Sequence, residues 1–237
     1  MVSWIVQEAH ARTIQTRGGS LGECLLAASA HTTQLRSYSE GIVLNPNVET
    51  DMPRVLEALR LATRSRHAKL ASCRAIMRLF DSTYSVSEYR AHLGRLLGLF
   101  EPLERSVARA AEPSNLVNSL QRARDLREDL LMLGATTTEV DNLERCQCLP
   151  PIPVQGLLGY AYVILGSSLG AKIIVKQLRT VLGPSATLQF YGDEKGRYAA
   201  LWPIFLQSLE ENGRHDIGTI CATAAGIFEA YETWLCQ

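Results

Sequence analysis

The sequence carries no surplus of charge. Its 24 Lys and Arg balance 24 Asp and Glu, so composition supplies no basic face of the kind general nucleic-acid binding needs. No apolar run reaches the ~18–20 residues expected of a membrane span. The first residues, Met1-Val2-Ser3-Trp4-Ile5-Val6-Gln7-Glu8, lack the basic start and long apolar segment of a secretory signal. No segment alternates apolar and polar residues with period two, so strands leave no signature. The six Cys, at 24, 73, 146, 148, 221 and 236, show no zinc-ribbon spacing. Cys73 and Cys221 fall within apolar helical patterns and read as buried free thiols. These absences lead to the expectation of a cytoplasmic protein with neither a membrane nor a nucleic acid as partner.

What is present is helix. A hydrophobic content of 46% over 237 residues is ample for one core. Residues 1–51 stand apart: they are small and polar, contain Gly18-Gly19-Ser20, and are expected to form a weakly ordered extension. From residue 52 to 237 the pattern is that of a single all-α domain. Leu56, Leu59, Thr63, His67, Leu70, Cys73 and Met77 recur at steps of three and four, the spacing of one helix face. Ser85-Val86-Ser87-Glu88 is a capping box opening a second helix, which Pro102 is expected to kink or restart. A third helix is expected over residues 115–133, stopping at Gly134, and a short one after Thr136. Three prolines between Cys146 and Pro153 mark a connection. A long helix over residues 154–182 should end at Gly183-Pro184. A loop over residues 188–196 and helices over residues 197–211 and 216–235 complete the expected order.

Two constellations suggest chemistry. In the first, Arg64 lies three residues before His67 and Arg60 seven before, so all three project along roughly one side of a helix. Neutral imidazole binds iron, and guanidinium groups pair with carboxylates. Haem offers both partners, an iron and two propionates. The plainer alternative is a solvated basic helix start with His67 in the core. In the second, Gly166 and Gly170 lie four apart inside a helix, where each glycine costs about 1 kcal/mol relative to alanine. Either small residues let another helix pack closely, or the backbone must approach a flat ligand. Ser167 and Ser168 offer hydroxyls that could orient water, and no carboxylate occurs between Leu165 and Ala171. Tyr160, Tyr162, Tyr198 and Phe228 could line a pocket or serve as plain core. His92, near Arg90 and Arg95, is expected to be exposed. Lys195 and Arg197 read as a solvated loop, with docking of a partner as the alternative.

The two stretches, in this order and at this separation, resemble the haem oxygenase family, particularly its bacterial branch, which includes enzymes paired with bacterial phytochromes. The family's proximal pattern Leu-Arg-x-x-Thr-Arg-x-x-His-x-x-Leu is matched from Leu59 to Leu70. Its distal pattern Tyr-Val-x-x-Gly-Ser-x-Leu-Gly-Ala is matched from Tyr162 to Ala171. Phe190-Tyr191-Gly192, the Trp202 and Phe205 pair, and the closing segment from Ile227 to Leu235 also fit. The resemblance implies a helical bundle that holds haem between a proximal N-terminal helix and a kinked, glycine-containing distal helix. It implies that His67 ligates the iron, that Arg60 and Arg64 grip propionates, and that Tyr162 belongs to the binding site. Gly166, Ser167 and Gly170 would form the catalytic distal face. The implied reaction is oxidative cleavage of haem to biliverdin with release of CO and iron. Its electrons would come from a ferredoxin or reductase, and a bacterial phytochrome is a candidate recipient of the bilin. Two positions depart from the family. Ala71 stands where a glutamate often holds the proximal histidine, and Leu165 where bacterial members often carry glutamate. They support the alternative of a non-catalytic haem-binding or helical interaction protein on the same fold.

Overall fold

The computed structural model describes residues 52–110, 115–169, 171–192 and 196–236; the expectation for residues 1–51 lies outside them. The chain forms α1 (Met52–Ser72), α2 (Arg74–Met77), a 3₁₀ turn (Arg78–Phe80) and α3 (Val86–Ala110). Then come α4 (Asn115–Asn118), α5 (Ala123–Met132), α6 (Thr137–Asp141) and a second 3₁₀ turn (Val154–Gly156). The remainder is α7 (Leu157–Leu169), α8 (Ala171–Leu182), α9 (Gln189–Gly192), α10 (Arg197–Asn212) and α11 (Ile217–Leu235). No strand occurs among the described residues. The fold is the all-α, single-domain bundle that the periodicity predicts.

Local chemistry explains most boundaries. At the start of α3, Ser85 N donates to the Glu88 carboxylate at 2.9 Å and Glu88 N donates to Ser85 Oγ at 3.3 Å. The reciprocal bonds satisfy N–H groups that a helix start leaves open. Thr136 and Glu139 do the same for α6. Gly134 and Gly183 follow α5 and α8 with φ of 85° and 96°, a left-handed conformation that costs glycine little. Pro102 does not restart α3, which runs unbroken through it.

Two expected elements differ, and a carboxylate distant in sequence accounts for each. The helix expected over residues 115–133 is split, because Glu104 of α3 accepts the backbone N–H groups of Arg122 and, at 2.9 Å, Ala123, and so starts α5 afresh. The loop expected over residues 188–196 contains α9, because Asp129 accepts N–H groups from Gln189 and Phe190, both at 2.9 Å. Neither contact is local in sequence, so neither leaves a periodic trace.

The bundle is centred on α11, which packs against α1 on one side and α7 on another. Ile220, Ala224, Ile227, Phe228 and Tyr231 are among its buried residues. Full burial of such a Leu, Ile or Phe side chain contributes roughly 1.5–3 kcal/mol. Helix α7 is buried from Tyr160 to Leu165 without interruption, so its apolar residues surround it instead of forming one stripe. The stretch Val154–Leu182 is, contrary to expectation, long and apolar enough to cross a membrane, but 69% of its most apolar window is buried within the fold, as befits a core helix. The expectation for Cys73 also fails. It pairs with Cys236 as a disulfide with a Cα–Cα distance of 5.5 Å, because the ends of α1 and α11 meet. Cys146, Cys148 and Cys221 are free.

Candidate functional site

Helices α1 and α7 touch at one point. Thr63 Oγ1 donates to the Leu59 carbonyl of its own helix at 2.7 Å and lies 3.4 Å from the Tyr162 hydroxyl of α7. One turn further along each helix they part around a cavity of about 100 Å³. His67 and Ala71 face it from α1, Val163 and Ser167 from α7, and Phe228 and Tyr231 from α11.

His67 is 8% exposed. Its ring meets Phe228 edge-on, with centroids 5.5 Å apart. Among the described residues the imidazole makes no hydrogen bond. Burial pushes its pKa down to about 4, so the ring is neutral at pH 7 and keeps a lone pair for a metal. Ala71 stands in the cavity wall and offers no carboxylate to orient the ring.

On the other wall, Gly166 is buried, yet a Cβ built on it meets no atom within 4 Å. Among the described residues, therefore, nothing packs against this glycine. Ser167 Oγ donates to the Ile164 carbonyl at 2.7 Å, and Ser168 Oγ donates to the same oxygen at 3.0 Å. With its proton committed to the helix, the Ser167 hydroxyl presents lone pairs to the cavity and suits a role as acceptor from water. Gly170 and Lys195 lie outside the described residues.

The structure does not gather every predicted residue here. Arg60 and Arg64 are on the exposed side of α1 and do not line the cavity. Tyr162 is buried against Thr63 beside the cavity, not in its wall. Tyr160 and Tyr198 belong to the core, whereas Phe228 does line the cavity. Leu165 is fully buried in the core, away from the cavity wall.

Two features escaped the sequence reading. His92 is buried instead of exposed; its Nε2 is 2.7 Å from the Tyr191 hydroxyl, and burial holds its pKa near 4. A signal for this existed, because His92 shares a helix face with Tyr89, Leu93, Leu96 and Phe100. The arginines beside it misled, since Arg90 turns away to Glu139 at 3.0 Å. The second is Arg122, 2% exposed and in the cavity wall. It donates to Ser168 Oγ and to the Phe190 carbonyl, and its guanidinium lies 4.4 Å from the Phe190 ring centroid and 4.2 Å from that of Tyr198. No periodicity distinguishes it from the exposed Arg124 two residues on. A wider recess of about 410 Å³ lies between α3 and α6, but its arginines and glutamates pair with one another and it is separate from His67.

Comparison with known proteins accords with this geometry. Residues 54–237 match the family described as Heme oxygenase. The fold is shared with heme oxygenase-1 from the cyanobacterium Synechocystis in complex with heme, at 18% identity and a TM-score of 0.58, over 76% of this chain and 90% of that one. It is shared equally with the heme oxygenase of Leptospira interrogans, at 20% identity and a TM-score of 0.59, over 77% of this chain and 98% of that one. A search of curated proteins returns no match. With a family match over nearly all the described residues and both helices of its signature flanking one cavity, the chain belongs to the haem oxygenase family.

Proposed function

We propose that this protein binds haem between α1 and α7 and cleaves it oxidatively to biliverdin, CO and iron. The observation that carries the proposal is a neutral imidazole with no hydrogen-bond partner among the described residues, facing a cavity flanked by a helix whose buried Gly166 has no described residue against it. That donor set suits haem: one nitrogen for the iron, and a side-chain-free backbone for the flat macrocycle. Haem, as both substrate and source of the iron chemistry, activates O2 for attack on its own ring with electrons from a separate ferredoxin or reductase.

The chain's own residues then have defined tasks. His67 holds the iron from the α1 side. Arg60 and Arg64, exposed on α1, can reach carboxylates at the cavity rim. Gly166 keeps the distal wall low, and Ser167 accepts a hydrogen bond from water there. Tyr162 fixes the hinge end of the cleft through Thr63. The cavity of about 100 Å³ is smaller than the roughly 300–1,000 Å³ typical of ligand pockets, so uptake must part α1 from α7. The bilin product could serve a bacterial phytochrome.

A haem carrier without turnover is the second reading. It is favoured by the lone His67, because a ligating histidine is ordinarily oriented and made more basic by a partner on its other nitrogen, and Ala71 supplies none. Haemin titration followed by reduction in air separates the two. The enzyme loses its Soret band and turns green in wild type, whereas the carrier shows only reduction of its haem. His67→Ala is expected to lose the axial-imidazole spectrum in either case; wild type that stays colourless with haemin refutes both.

A further inference from the structure

Three carboxylates belong to the hydrogen-bonded surroundings of Arg122, Glu104 through its backbone N–H, Asp129 through Phe190 and Asp125 beside its side chain, and each is committed elsewhere. Glu104 accepts the N–H groups that start α5. Asp129 accepts those of Gln189 and Phe190. Asp125 takes two bonds from Arg197, at 3.0 and 2.9 Å, and one from the Tyr198 hydroxyl at 3.1 Å, and approaches Arg122 Nε only to 3.8 Å. The guanidinium of Arg122 is left with neutral acceptors, Ser168 Oγ and the Phe190 carbonyl, and with two aromatic faces. Its Nε makes no hydrogen bond. Such a buried cation is costly unless something negative comes near it. This one lines the cavity and is bonded to the distal helix beside Ser167.

We propose that Arg122 is the charge of the distal wall, a buried guanidinium whose nearest counter-ion, Asp125, is shared with Arg197 and which favours negative charge on the α7 side of the cavity. The inference rests on the haem-binding reading and adds to it an electrostatic residue just before α5, outside both signature stretches. In a site of low dielectric a fixed charge acts strongly on whatever charge appears beside it, and acts little on a neutral ligand. Arg122 therefore discriminates by charge, not by shape.

The test uses the ferric haem complex of the full chain, titrated with azide and separately with imidazole. In Arg122→Gln, azide affinity is expected to fall by about tenfold or more, while imidazole affinity is unchanged. Arg122→Lys keeps the charge and retains most of the azide affinity. Asp125→Asn removes the nearest negative charge and raises azide affinity, a sign that structural damage does not produce. Should Arg122→Gln fail to fold, Arg122→Lys and Asp125→Asn decide the matter. Equal losses of azide and imidazole affinity in the Arg122 variants, or an azide loss in Asp125→Asn, overturn the role of Arg122 while leaving haem binding intact. Wild type that takes up no haemin overturns the parent reading and this one together.

Discussion

Helix α7 is preceded and crossed by glycines that meet opposite surroundings. At its start, a Cβ on Gly159 would collide with the Ile220 carbonyl oxygen and come within 3.1 Å of Ala224 N. Gly156, in the turn just before, meets Thr223 in the same way. Gly159 lets the chain rest directly on the backbone of α11, and Gly156 makes room for the Thr223 side chain. Two turns beyond Gly159, Gly166 meets none of the described residues. The same residue type thus brings two helices together at one end and leaves room at the other. The packed end anchors α7 so that the open end can remain beside His67 without collapsing onto it.

The largest effect is expected where the backbones touch. Gly159→Val drives a branched side chain into the α11 backbone, which cannot rotate away as a side chain could. Overpacking of this kind costs about 3 kcal/mol, or roughly 6–12 °C in thermal midpoint for a chain of this size. A melting curve like that of wild type would refute the close approach and with it the anchoring of α7.

How far the sequence carries follows from the same contrast. Helix starts and stops at Ser85, Thr136, Gly134 and Gly183 were legible because their causes lie within four residues of one another. The proximal and distal stretches were legible through their family pattern. Whether Gly166 served packing or a ligand was not, because the answer depends on which distant residues stand opposite it in the fold. Arg122, the Cys73–Cys236 pair and the burial of His92 were hidden for a related reason. Each is decided by a partner between 46 and 163 residues away, and no local spacing encodes that. Arg60 and Arg64 are exposed and outside the cavity wall, so shared helix direction alone does not place three side chains in one cavity.

A second contrast sharpens the comparison. His67 borders the open end without a partner, whereas His92 is packed against Tyr191. Burial lowers both from 6.5 to about 4. Between those values the unfolded chain binds more protons than the folded one, so each histidine contributes stability that is complete above pH 6.5 and lost as pH falls towards 4. The contribution of each is up to roughly 3 kcal/mol. Glu104 opposes them, because burial raises its carboxyl to about 7 and its contribution grows as pH falls through that value. The difference between variants isolates the histidine. His67→Gln is expected to lose less stability than wild type between pH 6.5 and 4.5, read as urea midpoints. Parallel pH dependences in the two proteins would mean that His67 is solvated and not held in the cavity wall.

The smallest stability change is also the most selective. Gly166→Ala adds a methyl group that meets none of the described residues, so none of them must move. Replacing a helical glycine by alanine contributes about 1 kcal/mol, a rise of roughly 2–4 °C in thermal midpoint. The same methyl group stands where the distal wall should meet a flat ring, so haemin affinity is expected to fall while the apoprotein becomes more stable. Gly159→Val should show the reverse order of effects, with folding damaged first. A Gly166→Ala protein that melts higher and binds haemin as tightly as wild type would leave the glycine without a role in the cleft, because the space it opens would then be one that the macrocycle never reaches.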